Sequence, residues 1–254
     1  MLGAIIGDIV GSRFEFHNTD KYNFGKLFTK QCDFTDDTIC TVAIAHAILK
    51  ADYNYKDALL YWCRKYPNPM GSYGGSFARW INSEDPQPYN SFGNGAAMRV
   101  SPVAFTWSTS ADVIREAIAT ASVSHNHPEG IKGAMATALA TFALRKSHNK
   151  ETAIRIEQLF YDLNAKYTRG RFDETCQGTV PVALRIISES CDFEDAIRMA
   201  MAWGGDSDTL GAIVGGMAEA LYGIPSDIKA AAMEYLPADM RIVIREFYDA
   251  FVHE

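Results

Sequence analysis

Two short acidic clusters hold most of the chemistry this chain offers. Phe34-Thr35-Asp36-Asp37-Thr38 and Gly204-Gly205-Asp206-Ser207-Asp208-Thr209-Leu210-Gly211 each combine aspartates with threonine at the start of an apolar stretch. Carboxylate and hydroxyl oxygens are hard ligands that suit Mg²⁺, Mn²⁺ or Ca²⁺, whereas zinc favours His and Cys. The N–H groups of a helix start would orient those oxygens. Either cluster alone also reads as an ordinary helix cap, because Asp and Thr are favoured there. Together they supply oxygens for two cations ~3.5–4 Å apart, a pair that activates water and clamps substrate oxygens.

Other polar groups are weaker signals. Gly93-Asn94-Gly95-Ala96-Ala97-Met98-Arg99 reads as a tight loop entering a helix, either a plain turn or a backbone cradle for phosphate. Ser124-His125-Asn126-His127-Pro128 places two histidines two residues apart, more a loop pair than a metal site beside such hard ligands. Asp8 reads as a cap and Glu15 as an exposed acid near an otherwise apolar N-terminal stretch. The five cysteines form no Cys-x-x-Cys pair, so buried free thiols in a reducing cytoplasm are expected. Cys176 has no histidine partner in sequence, which argues against a nucleophilic role.

The elements that must position these groups are helical. Apolar periodicity predicts helices over Thr38–Lys50, Ala111–Ser122, Gly130–Lys146, Glu151–Ala165, Thr179–Ser190, Asp192–Trp203 and Ser207–Tyr222, with a short turn over Glu246–His253. Gly130–Lys146 is apolar on most faces and reads as a central buried helix. The Gly- and Ala-rich Ser207–Tyr222 segment would let a neighbouring helix approach closely. Tyr66–Gly75 and Asn82–Gly95, dense in Pro, Gly, Ser and Asn, read as loops long enough to be functional. A small two-stranded ribbon is expected near Tyr22–Phe34. The result is one all-α domain over residues 1–254.

The chain has 254 residues, 48% of them apolar, enough for a substantial core. A net charge of −7 disfavours binding to nucleic acid or an anionic membrane through a basic surface. The first residues lack the basic flank of a secretory signal, and no stretch approaches the ~20 uncharged apolar residues of a spanning helix. A monomer in the cytoplasm is the default expectation.

The ordered set of motifs resembles the ADP-ribosylglycohydrolase family, which includes the dinitrogenase reductase-activating glycohydrolases. It runs through Gly7-Asp8-Ile9-Val10-Gly11 with Glu15, then Phe34-Thr35-Asp36-Asp37-Thr38 and Ser91-Phe92-Gly93-Asn94-Gly95 with Met98-Arg99. Ser124-His125 and Gly205-Asp206-Ser207-Asp208-Thr209 complete it. The resemblance implies an orthogonal helix bundle holding two Mg²⁺ or Mn²⁺ ions. Thr35, Asp36 and Asp37 would ligate from one side, and Asp206, Asp208 and Thr209 from the other. Ser91, Phe92, Gly93, Asn94, Gly95, Met98, Arg99 and His125 would line the ADP-ribose site, and Glu15 would stand beside the metal centre.

The implied reaction is metal-assisted hydrolysis of the bond between ADP-ribose and an acceptor, with Glu15 and Asp37 as candidate acid and base. Members acting on ADP-ribosyl-arginine tend to carry a Pro-x-Asp-like segment where this chain has Asn68-Pro69-Met70-Gly71-Ser72-Tyr73-Gly74-Gly75, without Asp. Arginine, serine, a nucleobase or an O-acetyl group therefore all stand as acceptors. The alternative is a non-catalytic protein of the same fold that binds ADP-ribose or a toxin, as an immunity protein does. A di-metal phosphoester hydrolase ranks behind both.

Overall fold

A computed structural model describes residues 1–252, and they form helices joined by loops. In chain order these are α1 (Leu2–Gly11), α2 (Asp36–Leu49), α3 (Tyr55–Lys65), α4 (Gly75–Ile81), α5 (Gly95–Met98), α6 (Ser101–Thr106) and α7 (Ser110–Ser122). They continue as α8 (Pro128–Ser147), α9 (Glu151–Phe160), α10 (Cys176–Glu189), α11 (Phe193–Trp203), α12 (Ser207–Tyr222), α13 (Ser226–Met233) and α14 (Ala238–Phe251). The all-α expectation holds.

α1 and α12 make the heart of the bundle. Every residue of α1 is buried, as is all of α12 from Ser207 to Leu221. They cross backbone to backbone because glycines recur every fourth residue on both. A Cβ on Gly3 would lie 2.2 Å from the Gly215 carbonyl oxygen, and one on Gly211 would lie 2.4 Å from that of Gly7. Close approach of this kind needs residues without side chains. It also sets Asp8 on α1 beside the first turn of α12. The start of α1 is tied down by Glu219 of α12, whose Oε2 accepts from the Gly3 amide at 2.8 Å and from the Met1 amine at 2.6 Å.

α8 is less buried than its sequence suggests: one face, with Gly133, Ala134, Ala138 and Leu144, lies inside, and the other residues are partly or fully exposed. His127 caps its start, Nδ1 accepting from the Glu129 amide at 3.1 Å. The two long loops predicted around Tyr66–Gly75 and Asn82–Gly95 are present, flanking the short α4.

Several expectations need correction. No strand forms over Tyr22–Phe34. That stretch is a loop with Gly25 at φ +90, a Thr29–Cys32 turn, and a guanidinium from Arg13 bonding the Lys26 carbonyl at 2.7 Å. With its carbonyls taken by a side chain and no partner strand, no ladder can start. The helix expected to reach Ala165 ends at Phe160, after which Asp162 accepts from the Asn164 amide and starts a turn. The C-terminal turn is a full helix from Ala238 to Phe251, and the expected end at His253 lies outside the described residues. Four cysteines are buried free thiols, but Cys191 is exposed. Among the described residues no helix is long and apolar enough to cross a membrane.

Candidate metal and ligand site

Three helix termini bring the acidic clusters together. Asp8, in the last turns of α1, reaches the start of α2. Its Oδ2 accepts from the amides of Thr35 and Thr38, each at 3.0 Å, and from the Thr38 hydroxyl at 2.5 Å. Its Oδ1 accepts from the Thr35 hydroxyl at 2.7 Å. Asp8 therefore caps α2 from a different helix, satisfying donors that a helix start leaves open. From residue type alone Asp8 reads as a local cap, whereas its partners stand at the start of another helix. The available signal was a lone carboxylate in a ten-residue apolar helix, between two glycines that seat that helix on α12.

The two predicted clusters face each other around this anchor. Carboxylate oxygens of Asp8, Asp37 and Asp208 lie within 4.8 Å of one another. The Thr209 hydroxyl donates to Asp37 Oδ2 at 3.2 Å, joining the first turns of α2 and α12. Asp206 Oδ2 accepts from the Asn94 side-chain amide at 2.7 Å, tying the Gly-Asn-Gly loop to the same centre. Asp36 stands at the edge, partly exposed, on the wall of a cavity of about 360 Å³.

The electrostatics of this cluster are unbalanced. Burial, reinforced by neighbouring aspartates, holds the carboxyls of Asp36, Asp37 and Asp208 well above the ordinary carboxylate range. Burial raises Asp206 as well, and pushes Asp8 up to about 6 against four opposing hydrogen bonds. Glu15 is pushed up to about 7, by burial first and then by Asp206, Asp8 and Glu174. Among the described residues, none of these acids is in an ion pair. Asp37 Oδ1, Asp208 Oδ1 and Glu15 Oε2 are buried with no hydrogen-bond partner among the described residues. Buried acceptors left this way are costly unless a cation completes them. An all-oxygen donor set of carboxylate and threonine hydroxyl fits a hard divalent ion.

The cavity in front of the cluster gathers most of the predicted ligand residues. Its wall includes Glu15, Asp36, Asp37, Ser91, Gly93, Asn94, Gly95, Met98, Arg99, His125, Asp206, Asp208 and Thr209. The Ser91–Gly95 loop is pinned from behind, with the Asn94 amide donating to the Glu174 carbonyl at 2.7 Å and the Cys176 amide to that of Phe92 at 3.0 Å. Gly95 must lack a side chain, because a Cβ there would lie 2.9 Å from His125 Nε2. Arg99 contributes to the wall while itself fully buried. Phe92 does not line the cavity; it is 45% exposed and packs edge-on against His127. Thr35 is buried behind the wall, its hydroxyl engaged with Asp8. Cys176 is buried and burial pushes its thiol up to about 12, which keeps it protonated and a poor nucleophile.

The cavity also draws on residues that carried no motif. Phe77 and Tyr89 flank His125, and Gly71–Ser76 forms one side. Phe16 and Phe172 stack at the mouth with centroids 6.1 Å apart, close to Glu15 and Glu174. Loop residues scattered over the chain leave no periodic trace, so only the fold collects them.

Known proteins place this arrangement. The chain is 27% identical over 261 residues to an ADP-ribosylarginine hydrolase of Pseudomonas putida (strain GB-1), covering 88% of this chain and 70% of that protein. It is 26% identical over 277 residues to the ADP-ribosyl-(dinitrogen reductase) glycohydrolase of Rhodospirillum rubrum, covering 99% and 93%. A solved structure described as an ADP-ribosylglycohydrolase-related protein complex shares the fold, with a TM-score of 0.74 at 22% identity over 98% of this chain and 95% of that one. The family profile of ADP-ribosylglycohydrolases matches residues 1–254, and the chain belongs to that family.

Proposed function

We propose that the protein hydrolyses the glycosidic bond between the distal ribose of ADP-ribose and an acceptor, reversing ADP-ribosylation with two Mg²⁺ or Mn²⁺ ions. The observation that carries this reading is the set of buried aspartates with unpaired oxygens at the floor of the Ser91–Gly95 cavity. Thr35, Asp36 and Asp37 would hold the ions from α2, and Asp206, Asp208 and Thr209 from α12. Bound there, the ions would polarise ribose oxygens and lower the pKa of water.

The chain's own residues do the remaining work. Asp8 fixes the first turn of α2, so Asp36 and Asp37 meet the α12 cluster without reorganisation. Asn94 orients Asp206 and presents the loop that would hold the diphosphate and ribose. Glu15, half-buried with Oε2 unpaired, can keep a proton near neutrality and deliver it to a leaving acceptor. Asp37, whose Oδ1 is also unpaired, is the candidate base. Pinned loops and fixed carboxylates hold substrate and water in a reactive arrangement.

Among acceptors, a flat cation suits the mouth. The Phe16 and Phe172 rings would stack on a guanidinium beside the Glu15 and Glu174 carboxylates. This favours arginine, even though Asn68–Gly75 lacks the aspartate of other arginine-directed members. The free cysteines fit a reducing cytoplasm.

The test is product analysis on a panel of ADP-ribosylated arginine, serine, nucleobase and O-acetyl acceptors, with Mg²⁺, Mn²⁺ or chelator. Release of ADP-ribose that stops with chelator supports the reading. Tight ADP-ribose binding with no turnover on any acceptor supports the binding-protein alternative. Free phosphate or AMP as the product would indicate phosphoester hydrolysis.

A further inference from the structure

Among the described residues Arg99 is the largest fully buried side chain, and it makes no salt bridge there. Its Nη2 donates to the Thr120 carbonyl at 2.8 Å and to the Ser124 hydroxyl at 2.9 Å, while Nε and Nη1 find no partner. Burying a guanidinium with two idle donors is expensive, so the bonds it does make must matter to the fold or the site. The Ser124 hydroxyl has one further partner, His125 Nδ1 at 2.8 Å.

The proton inventory of this chain of contacts has one consistent solution. A guanidinium only donates, so the Ser124 oxygen accepts from Arg99. The hydroxyl has a single hydrogen, and the one acceptor within reach is His125 Nδ1. If Nδ1 carried a proton instead, that hydroxyl hydrogen would be left without an acceptor in a fully buried place. His125 Nδ1 is therefore the accepting nitrogen, and the ring's proton sits on Nε2. Nε2 makes no hydrogen bond among the described residues and lies against Gly93 and Gly95 on the cavity wall, where a Cβ would meet it at 3.6 Å and 2.9 Å. The rings of Phe77 and Tyr89 hold the imidazole plane from the sides.

We infer that Arg99 and Ser124 are positioning residues that lock His125 as a neutral Nε2–H donor aimed into the cavity, where it bonds a phosphate or ribose oxygen of the ligand. This rests on the ADP-ribose reading for the identity of the ligand, but the tautomer itself does not. The geometry also accounts for the buried arginine. Its charge prevents protonation at Nδ1, and its hydrogen bond orients the serine rotor. Burial, aided by Arg99, lowers the imidazole pKa well below its usual value, in keeping with a neutral ring.

The experiment is ¹⁵N NMR of histidine-labelled protein at neutral pH, with the His125 signals identified by their loss in His125→Gln. The expected spectrum shows a protonated Nε2 and an unprotonated Nδ1 on a neutral ring. In Ser124→Ala the tautomer preference should weaken, and Kd for ADP-ribose with Mg²⁺ should rise about five- to ten-fold. Ser124→Thr, which keeps the hydroxyl, should restore both, a rescue that simple loss of packing would not give. A protonated Nδ1 or a charged ring in the wild type overturns the inference, as does a Ser124→Ala variant with unchanged tautomer and affinity. An Nε2–H ring in a protein that binds no ADP-ribose overturns the ligand reading and leaves the relay standing.

Discussion

Gly7 of α1 and Gly211 of α12 touch backbone to backbone: a Cβ on Gly7 would lie 1.8 Å from the Gly211 carbonyl oxygen. One residue beyond Gly7 stands Asp8, and three residues before Gly211 stands Asp208, two of the three carboxylates in the buried cluster. The acidic cluster is thus built on a helix crossing that tolerates no side chain. Gly7→Ala should destabilise the protein by at least about 3 kcal/mol, since neither backbone can yield without moving the other. Gly74→Ala, where a Cβ meets nothing within 4 Å, should change stability little. Thermal denaturation of the two variants reads the difference, and equal melting temperatures would contradict the proposed crossing.

Asp8 is a second point of leverage because one carboxylate accepts four hydrogen bonds from Thr35 and Thr38. An amide at this place has one accepting oxygen. Asp8→Asn should therefore cost about 2–4 kcal/mol of stability and loosen the first turn of α2. Activity should fall with it, although Asp8 is not assigned as a metal ligand. Denaturant unfolding and metal titration on the same variant check this. Wild-type stability together with wild-type metal affinity would show that Asp8 does not organise the site.

Metal and pH should act on stability through the same carboxylates. Without a cation, Asp8 is pushed up to about 6 and Glu15 to about 7, and Asp36, Asp37 and Asp208 stand well above their ordinary value of 3.8. An acid raised in the folded state binds its proton more tightly there than in the unfolded chain. Its contribution is fully present below the unfolded value and is lost as pH rises through the folded one. The metal-free protein should accordingly weaken from about pH 4 through pH 7. Mg²⁺ or Mn²⁺ should offset that loss, so the melting-temperature gain on adding metal should be larger at about pH 8 than at about pH 5. A gain that is the same at both values would count against these acids as the binding site.

Much of the fold and site is legible in the sequence because the relevant signals are local. The α12 helix and its Asp206–Thr209 start appear as a cap followed by an apolar run, and the glycines of α12 announce a close neighbour. That the neighbour is α1 is not legible, since a short helix buried on every side has no amphipathic period. The role of Asp8 is not legible for the same reason: its partners Thr35 and Thr38 stand at the start of another helix. The loop over Tyr22–Phe34 has enough aromatic residues to imitate a ribbon, but Arg13 and Gly25 determine its path. Phe92 matches the motif yet packs on His127 outside the cavity, because the neighbouring Gly93 and Asn94 turn the chain inward.

The most direct measurement is ADP-ribose release by wild type, Asp36→Ala and Asp208→Asn, with divalent-ion binding and circular dichroism recorded on the same samples. The expected result is a helical spectrum like the wild type's, weakened Mg²⁺ or Mn²⁺ binding, and ADP-ribose release reduced by at least about 100-fold in each variant. Release at the wild-type rate from either variant, or from wild type in excess chelator, would contradict the claim that these facing aspartates form a catalytic metal centre.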